Sequence, residues 1–183
     1  MTFYGDLRMA RNKVMPTGVE RFFSEHDLIV SKTDTRGRIT YANKLFRDIA
    51  GFDGKTLQDA PHSLIRHPDM PRCVFKLLWD TIEAGREIFG YVINMSANGD
   101  HYWVLAHVTP SFDAKGRIIG YHSNRRVPNR TVVEDVFIPL YAQLNETERK
   151  AADRKSGLKA GYDQLMSVLE SKGVSYDELI HSL

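Results

Sequence analysis

The 183-residue chain holds a single cysteine, Cys73, so no disulfide within one copy can staple it, and a reducing cytoplasm is the expected setting. No run approaches the ~18 apolar residues that a membrane-spanning helix needs. The opening, MTFYGDLRMARNKVMPTGVE, lacks the basic, apolar, small-residue order of a secretory signal. Charge of one sign is also missing: 25 Lys and Arg stand against 23 Asp and Glu, a formal net charge of +2. Nucleic acid is therefore not an obvious partner. The basic residues that do bunch, in NRRVPNR at 124–130, read as a solvated strand end and not as a phosphate track. What is present is ordinary: 42% hydrophobic and 26% charged residues, enough for one full core and an appendage. A soluble cytoplasmic protein is the expectation.

The stretch that organises the rest is PHSLIRHPDMPRCVFKLLW, residues 61–79. Pro61, Pro68 and Pro71 break any long helix through its first part. Cys73, Val74, Phe75, Leu77, Leu78 and Trp79 then begin an apolar helical pattern that reaches Ile82 and stops at Gly85. Pro71 suits a first helical turn, and Asp69 is placed to cap it. The loop thus brings charged and imidazole groups to the mouth of a helix whose apolar face must pack on something.

Residues 1–27 have no clean period and are read as a flank. LIVSKTD and RITYA are strand-like runs joined at TRG, a hairpin turning at Gly37. Asn43 stands at an N-cap position before KLFRDIA, with Gly51 as the stop, and GKTLQD is a second short helical piece. Beyond Gly85 come three strand signals, IFGYVINMS, HYWVLAHVTPSF and RIIGYHSNRRV, separated by ANGD and DAKG. The order predicts an antiparallel α+β domain over about residues 28–128. From 129 to 183 the pattern is helical, with Pro139 forcing a kink or restart and Ser175 and Glu178 at capping-box spacing. This tail has an apolar stripe whose partner the pattern leaves open.

Strand pair, helix cluster and three-strand meander is the order of a PAS sensory domain. YANKLFRDIAGF, QDAPHSLIRHPDMPRCVFKLLWDTIEAG, ANGDHYWV and GRIIGYHSNR resemble the PAS domain of bacterial aerotaxis receptors over about residues 25–145, VEDVFIPLYAQLN included. The match is specific, because PH, then RHPDMP, then Phe and Trp on the helix, is narrower than the generic PAS pattern. The resemblance implies a five-stranded antiparallel sheet with a helix cluster on one face, followed by C-terminal helices, and FAD bound noncovalently. It places Asn43, Arg66, His67, Asp69, Phe75, Trp79, Asn94 and Trp103 at cofactor-contact positions. The chain departs from those receptors in showing no membrane anchor, no recognisable HAMP segment and no methyl-accepting coiled coil. In this it is similar to free-standing cytoplasmic PAS proteins of the CetB kind, which implies a HAMP-containing membrane chemoreceptor as partner, and by family habit a homodimer.

The residues themselves agree in part. An amide at Asn94 offers donor and acceptor to a polar ring edge. Phe75 and Trp79 are one helical turn apart and share a face. Arg66 and His67 are placed to meet a diphosphate. Bland readings stand beside these: Asn43 as a simple N-cap, Phe75 and Trp79 as core, Arg66 paired with Asp69. Tyr102 and Trp103 must point to opposite sheet faces, so at most one lines a pocket. The histidines make no tight helical pair and no second cysteine assists, which argues against zinc. Haem through His62 or His67 is the rival cofactor. Cys73 lies outside the cysteine motif of light-sensing flavin domains. No nucleophile, base and orienter group appears, so no enzyme activity is expected.

Overall fold

The computed structural model describes residues 14–183; the first thirteen positions of the expected N-terminal flank lie outside the described residues. Five antiparallel strands, β1 (Ile29–Thr33), β2 (Ile39–Ala42), β3 (Ile88–Met95), β4 (His101–Phe112) and β5 (Ile118–Arg126), form one sheet in the order β2-β1-β5-β4-β3. Each strand lies within a run singled out by its alternation. The pairing of β1 with β5 closes the first hairpin onto the end of the meander, a contact between distant parts of the chain that alternation alone does not specify.

Register divides the sheet into two faces. Asn94 opposes Tyr102, Val92 opposes Val104 and Gly90 opposes Ala106; Ala106 in turn opposes Arg125, and Val108 opposes Ser123. Ile29 and Ser31 of β1 complete this inner face opposite Arg125 and Ser123. Between the hairpin and the meander lie α1 (Lys44–Ala50), α2 (Gly54–Leu57), a 3₁₀ turn (His62–Ile65) and α3 (Arg72–Glu83), and they cover it. Asn43 caps α1 as its sequence position predicts, its Oδ1 accepting from the Phe46 N–H at 3.0 Å, and Gly51 ends the helix at φ +71°.

The outer face carries Tyr91 and Trp103, and here the open question of the tail is answered. A helical rod of α4 (Arg130–Val132), a π turn (Val133–Phe137) and α5 (Ile138–Lys150) lies across it. Phe137 stacks on Tyr91 at 4.3 Å, Trp103 stacks on Tyr141 at 5.9 Å, and the Tyr141 hydroxyl donates to the Tyr91 carbonyl at 2.6 Å. Pro139 cannot donate to an α-helical partner. The expected restart is what the chain shows: a π turn, in which the Ile138 N–H reaches back to the Val133 carbonyl, gives way to α5 with Pro139 in its first turn, where a missing N–H is tolerated.

α6 (Arg154–Lys172) then folds back on α5 and onto α3, and α7 (Tyr176–Ser182) packs on β3 behind the expected Ser175–Glu178 capping box. At Gly157 a Cβ would lie 2.3 Å from the Glu148 carbonyl oxygen, so only glycine lets α6 come this close to α5. Phe46, Tyr102, Val104, Phe137, Leu144 and Leu165 are all fully buried in one continuous core. The tail stripe is thus covered by this chain's own sheet and α3.

Candidate functional site

The 61–71 loop docks along the free edge of β3. Arg66 forms an isolated antiparallel bridge to Asn94, which fixes where the next side chains go. Arg66 stays with the inner layer, its guanidinium 4.3 Å from the centre of the Phe75 ring. His67 falls to the other side, its ring 5.7 Å from that of His101, whose register puts it on the outer face. Burial lowers the His67 pKa, against an opposing pull from Asp69. Its Nδ1 accepts the Asp69 N–H at 3.1 Å, so the ring is held neutral by geometry as well.

Asp69 does not cap α3. The helix starts at Arg72 behind Pro71, with no side-chain cap from the loop. The free N–H of Cys73 instead goes to Glu148 Oε1 of α5 at 2.8 Å, while Glu148 Oε2 accepts from Arg72 Nε at 2.7 Å. A carboxylate 75 residues away replaces the local one because α5 and α6 pack against this helix end. Burial and then Glu148 push the Cys73 thiol up to about 12, which leaves no thiolate for chemistry.

Of the other expected contact residues, Asn43 is consumed by structure. Beyond its cap it accepts from the Val30 N–H at 3.1 Å and donates to the Leu28 carbonyl at 2.8 Å. Trp79 sits edge-on to Tyr121 at 5.4 Å, and Tyr121 opposes Pro110, eight positions along β4 from Tyr102; it walls the far end of the same helix–sheet layer. Trp103 does not join the group at all. It lies on the outer face against Tyr141, and its neighbour Tyr102 takes the inner position.

Asn94, expected at a cofactor-contact position, lies on the inner face of β3. It is 3% exposed and its Nδ2 has no partner. It is not alone: on the same inner face the Tyr102 hydroxyl, Ser123 Oγ and Arg125 Nη1 are also buried without a hydrogen bond. Buried polar atoms are ordinarily paired, and each orphan costs about 1–3 kcal/mol. Four such orphans share one face of the sheet.

Arg125 is the residue that sequence reasoning missed. Read as part of a solvated basic run, it is in fact 3% exposed, and no carboxylate pairs with it among the described residues. Its Nη2 donates to Ser31 Oγ at 2.8 Å and to His62 Nε2 at 2.6 Å, and the guanidinium stands 5.1 Å over the Phe46 ring. Burial lowers its pKa to about 10, and burial followed by the facing guanidinium lowers that of His62 to about 3. Burial also raises the Tyr102 hydroxyl well above its ordinary value. The signal was available in the alternation of Tyr121, Ser123 and Arg125 along β5.

This donor set suits a planar ligand with several acceptor atoms on one edge. It does not suit a metal-centred ring held by a histidine: His62 Nε2 is already engaged by Arg125, and His67 is on the other face.

Residues 39–125 match the PAS fold family. The chain is 40% identical over 119 residues to the aerotaxis receptor of Escherichia coli (strain K12), covering 64% of this chain and 23% of that one. It is 29% identical over 97 residues to the nitrogen fixation regulatory protein of Klebsiella pneumoniae, 53% of this chain and 20% of that one. Its fold is similar to the dark structure of the blue-light photoreceptor Aureochrome1 LOV, with a TM-score of 0.54 at 20% identity over 63% of this chain and 86% of the other. Together with the sheet order and the inner-face helices, the match identifies residues 39–125 as a PAS domain. Within that class its PAS domain is of the aerotaxis-receptor type. The chain spans about a fifth of the length of these curated relatives.

Proposed function

We propose that the inner sheet face binds FAD and that the chain is a cytoplasmic redox sensor of the energy-taxis kind, reporting to a HAMP-containing chemoreceptor or similar partner and working as a homodimer. The observation that carries this reading is the set of unpaired donors, Asn94 Nδ2, Tyr102 OH, Ser123 Oγ and Arg125 Nη1, buried on one face of the sheet. They complement the acceptor-rich edge of an isoalloxazine, the cofactor implied by the aerotaxis-receptor resemblance. A bound flavin supplies reversible electron transfer with a change in the charge and proton content of its ring.

The chain's own residues do the rest. Asn94 orients the ring edge through its amide, and Arg125 sets a fixed positive charge in a dry site, where it acts more strongly than in water. Ser31 and His62 hold that guanidinium in place from the side away from its free Nη1. Phe46, Phe75 and Trp79 provide apolar walls. The thiol of Cys73 is buried and protonated, and His62 Nε2, 3.3 Å from Ser31 Oγ, is already taken by Arg125, which favours a sensor over an enzyme.

Output follows from the strand that has both faces occupied. Tyr102 faces inward and Trp103 faces the α5 helix, so a change in what the inner face binds moves the seat of the extension. A ligand can shift such an equilibrium only by its different affinity for the two arrangements, typically about 1–3 kcal/mol.

Purified protein, loaded with flavin and haem in turn, tests the reading by its visible spectrum before and after dithionite. Paired flavin bands that bleach on reduction, with FAD recovered after acid release, are the expected result. A Soret band in place of them would overturn it in favour of haem, and a chain colourless after both incubations would leave an interaction module.

A further inference from the structure

A second feature lies where the 61–71 loop meets the C-terminal helices. Arg66 of the loop, Arg72 of α3, Arg149 of α5 and Arg154 of α6 line a cleft of about 390 Å³ together with Asn145 and Glu148. Among the described residues that line it, the guanidinium groups meet one carboxylate, and that carboxylate is already committed to Arg72 Nε at 2.7 Å and the Cys73 N–H at 2.8 Å. The far side of Arg72 is tied as well, its Nη1 donating to the Arg154 carbonyl at 2.9 Å. Asn145 donates to the Asp69 carbonyl at 2.6 Å and fixes the loop to α5. Arg149 on α5 and Arg154 on α6 form no ion pair among the described residues. Two guanidinium groups without a carboxylate partner at the rim of one concavity attract an anion, and guanidinium forks match phosphate oxygens in geometry.

The cleft is not remote from the orphaned donors. Arg66, which lines it, is the residue bridged through its backbone to Asn94. One short loop therefore serves both places.

We infer that this cleft is the diphosphate site of a dinucleotide whose ring occupies the inner face, and that Arg149 and Arg154 make the C-terminal extension part of the cofactor site. The inference rests on the flavin reading above and deepens it: the site selects FAD over FMN and riboflavin. It also makes cofactor binding and the packing of α5 and α6 one linked equilibrium.

The test is a fluorescence titration of the full-length chain, stripped of any bound cofactor, with riboflavin, FMN and FAD. The wild-type protein should bind FAD at least about tenfold tighter than riboflavin. Arg149→Gln with Arg154→Gln removes two exposed side chains, so the fold should persist, checked by an unchanged melting temperature. In this variant FAD affinity should fall at least about tenfold while riboflavin affinity stays within about twofold. Unchanged FAD affinity in the variant, or an equal loss for FAD and riboflavin, would overturn the inference. Equal wild-type affinity for riboflavin and FAD would also overturn it while leaving the flavin reading intact. A wild-type chain that binds none of the three would remove the flavin reading and this inference with it.

Discussion

Arg125 Nη2 lies 2.6 Å from His62 Nε2, and since a guanidinium can only donate, the imidazole accepts and must be neutral. Its pKa in the folded chain, held down to about 3 from the ordinary 6.5 by burial and then by Arg125, is the lower of the two states. The unfolded chain therefore takes up a proton first as pH falls. Stability is fully present above about pH 6.5 and is lost as pH falls toward 3, by up to about 1.4 kcal/mol per unit. His62→Gln retains an acceptor but not the titration. Urea unfolding of both proteins between about pH 7 and pH 5 should show a steeper slope in the wild type, the variant keeping only what the likewise lowered His67 contributes; equal slopes would mean that His62 is not the group responsible.

Arg125→Met separates folding from binding. A buried cation without a counter-charge is replaced by a side chain of similar length, a change that is commonly neutral or stabilising by about 1–4 kcal/mol. The cofactor-free variant should melt no lower than the wild type, yet flavin affinity should drop by about tenfold or more. A variant that melts clearly lower and binds flavin normally would make Arg125 a structural residue only.

The same logic applies to Asn94 and Tyr102, whose unpaired atoms cost stability in the cofactor-free chain. Tyr102→Phe removes an orphaned hydroxyl, so thermal scans without flavin should move by less than about 0.5 kcal/mol or upward. Addition of FAD should raise the melting temperature of the wild type more than that of the variant.

Glu148 is the opposite case, a buried carboxylate with both oxygens engaged. Glu148→Ala strands Arg72 and the Cys73 N–H together, and should destabilise the chain by about 3–5 kcal/mol in urea titrations. A loss below about 1 kcal/mol would place the joint between α3 and the extension elsewhere.

The individual strands, the α1 cap and the capping box of α7 were legible in the sequence because each is a local matter: alternation, a side chain three residues from its N–H, a glycine at the stop. Tyr102 and Trp103 were legible as opposites but not as to which faced inward, since that depends on what covers each face. The role expected of Asp69 fell to Glu148 because the cap comes from a helix distant in sequence. Arg125 was hidden by its neighbours: Arg126 and Arg130 are solvent-exposed, and a cluster read as a whole conceals the one member that points the other way. Asn94 stood out because an amide in an alternating strand offers both donor and acceptor to whatever its face meets.

One feature of the flanks reaches beyond the domain. Arg130, at the start of the extension, binds both carboxylate oxygens of Glu20 at 2.7 Å across 110 residues of chain, and Glu20 in turn bridges to His101 at the head of β4. The way into the domain and the way out of it are thus fastened at a single point. A neighbour attached beyond the extension would feel a displacement of the N-terminal flank without touching it, and the two would move as one jointed arm. Because Arg130 is partly open to solvent, dissolved salt weakens that joint, so the stiffness of the arm depends on the ionic strength around it.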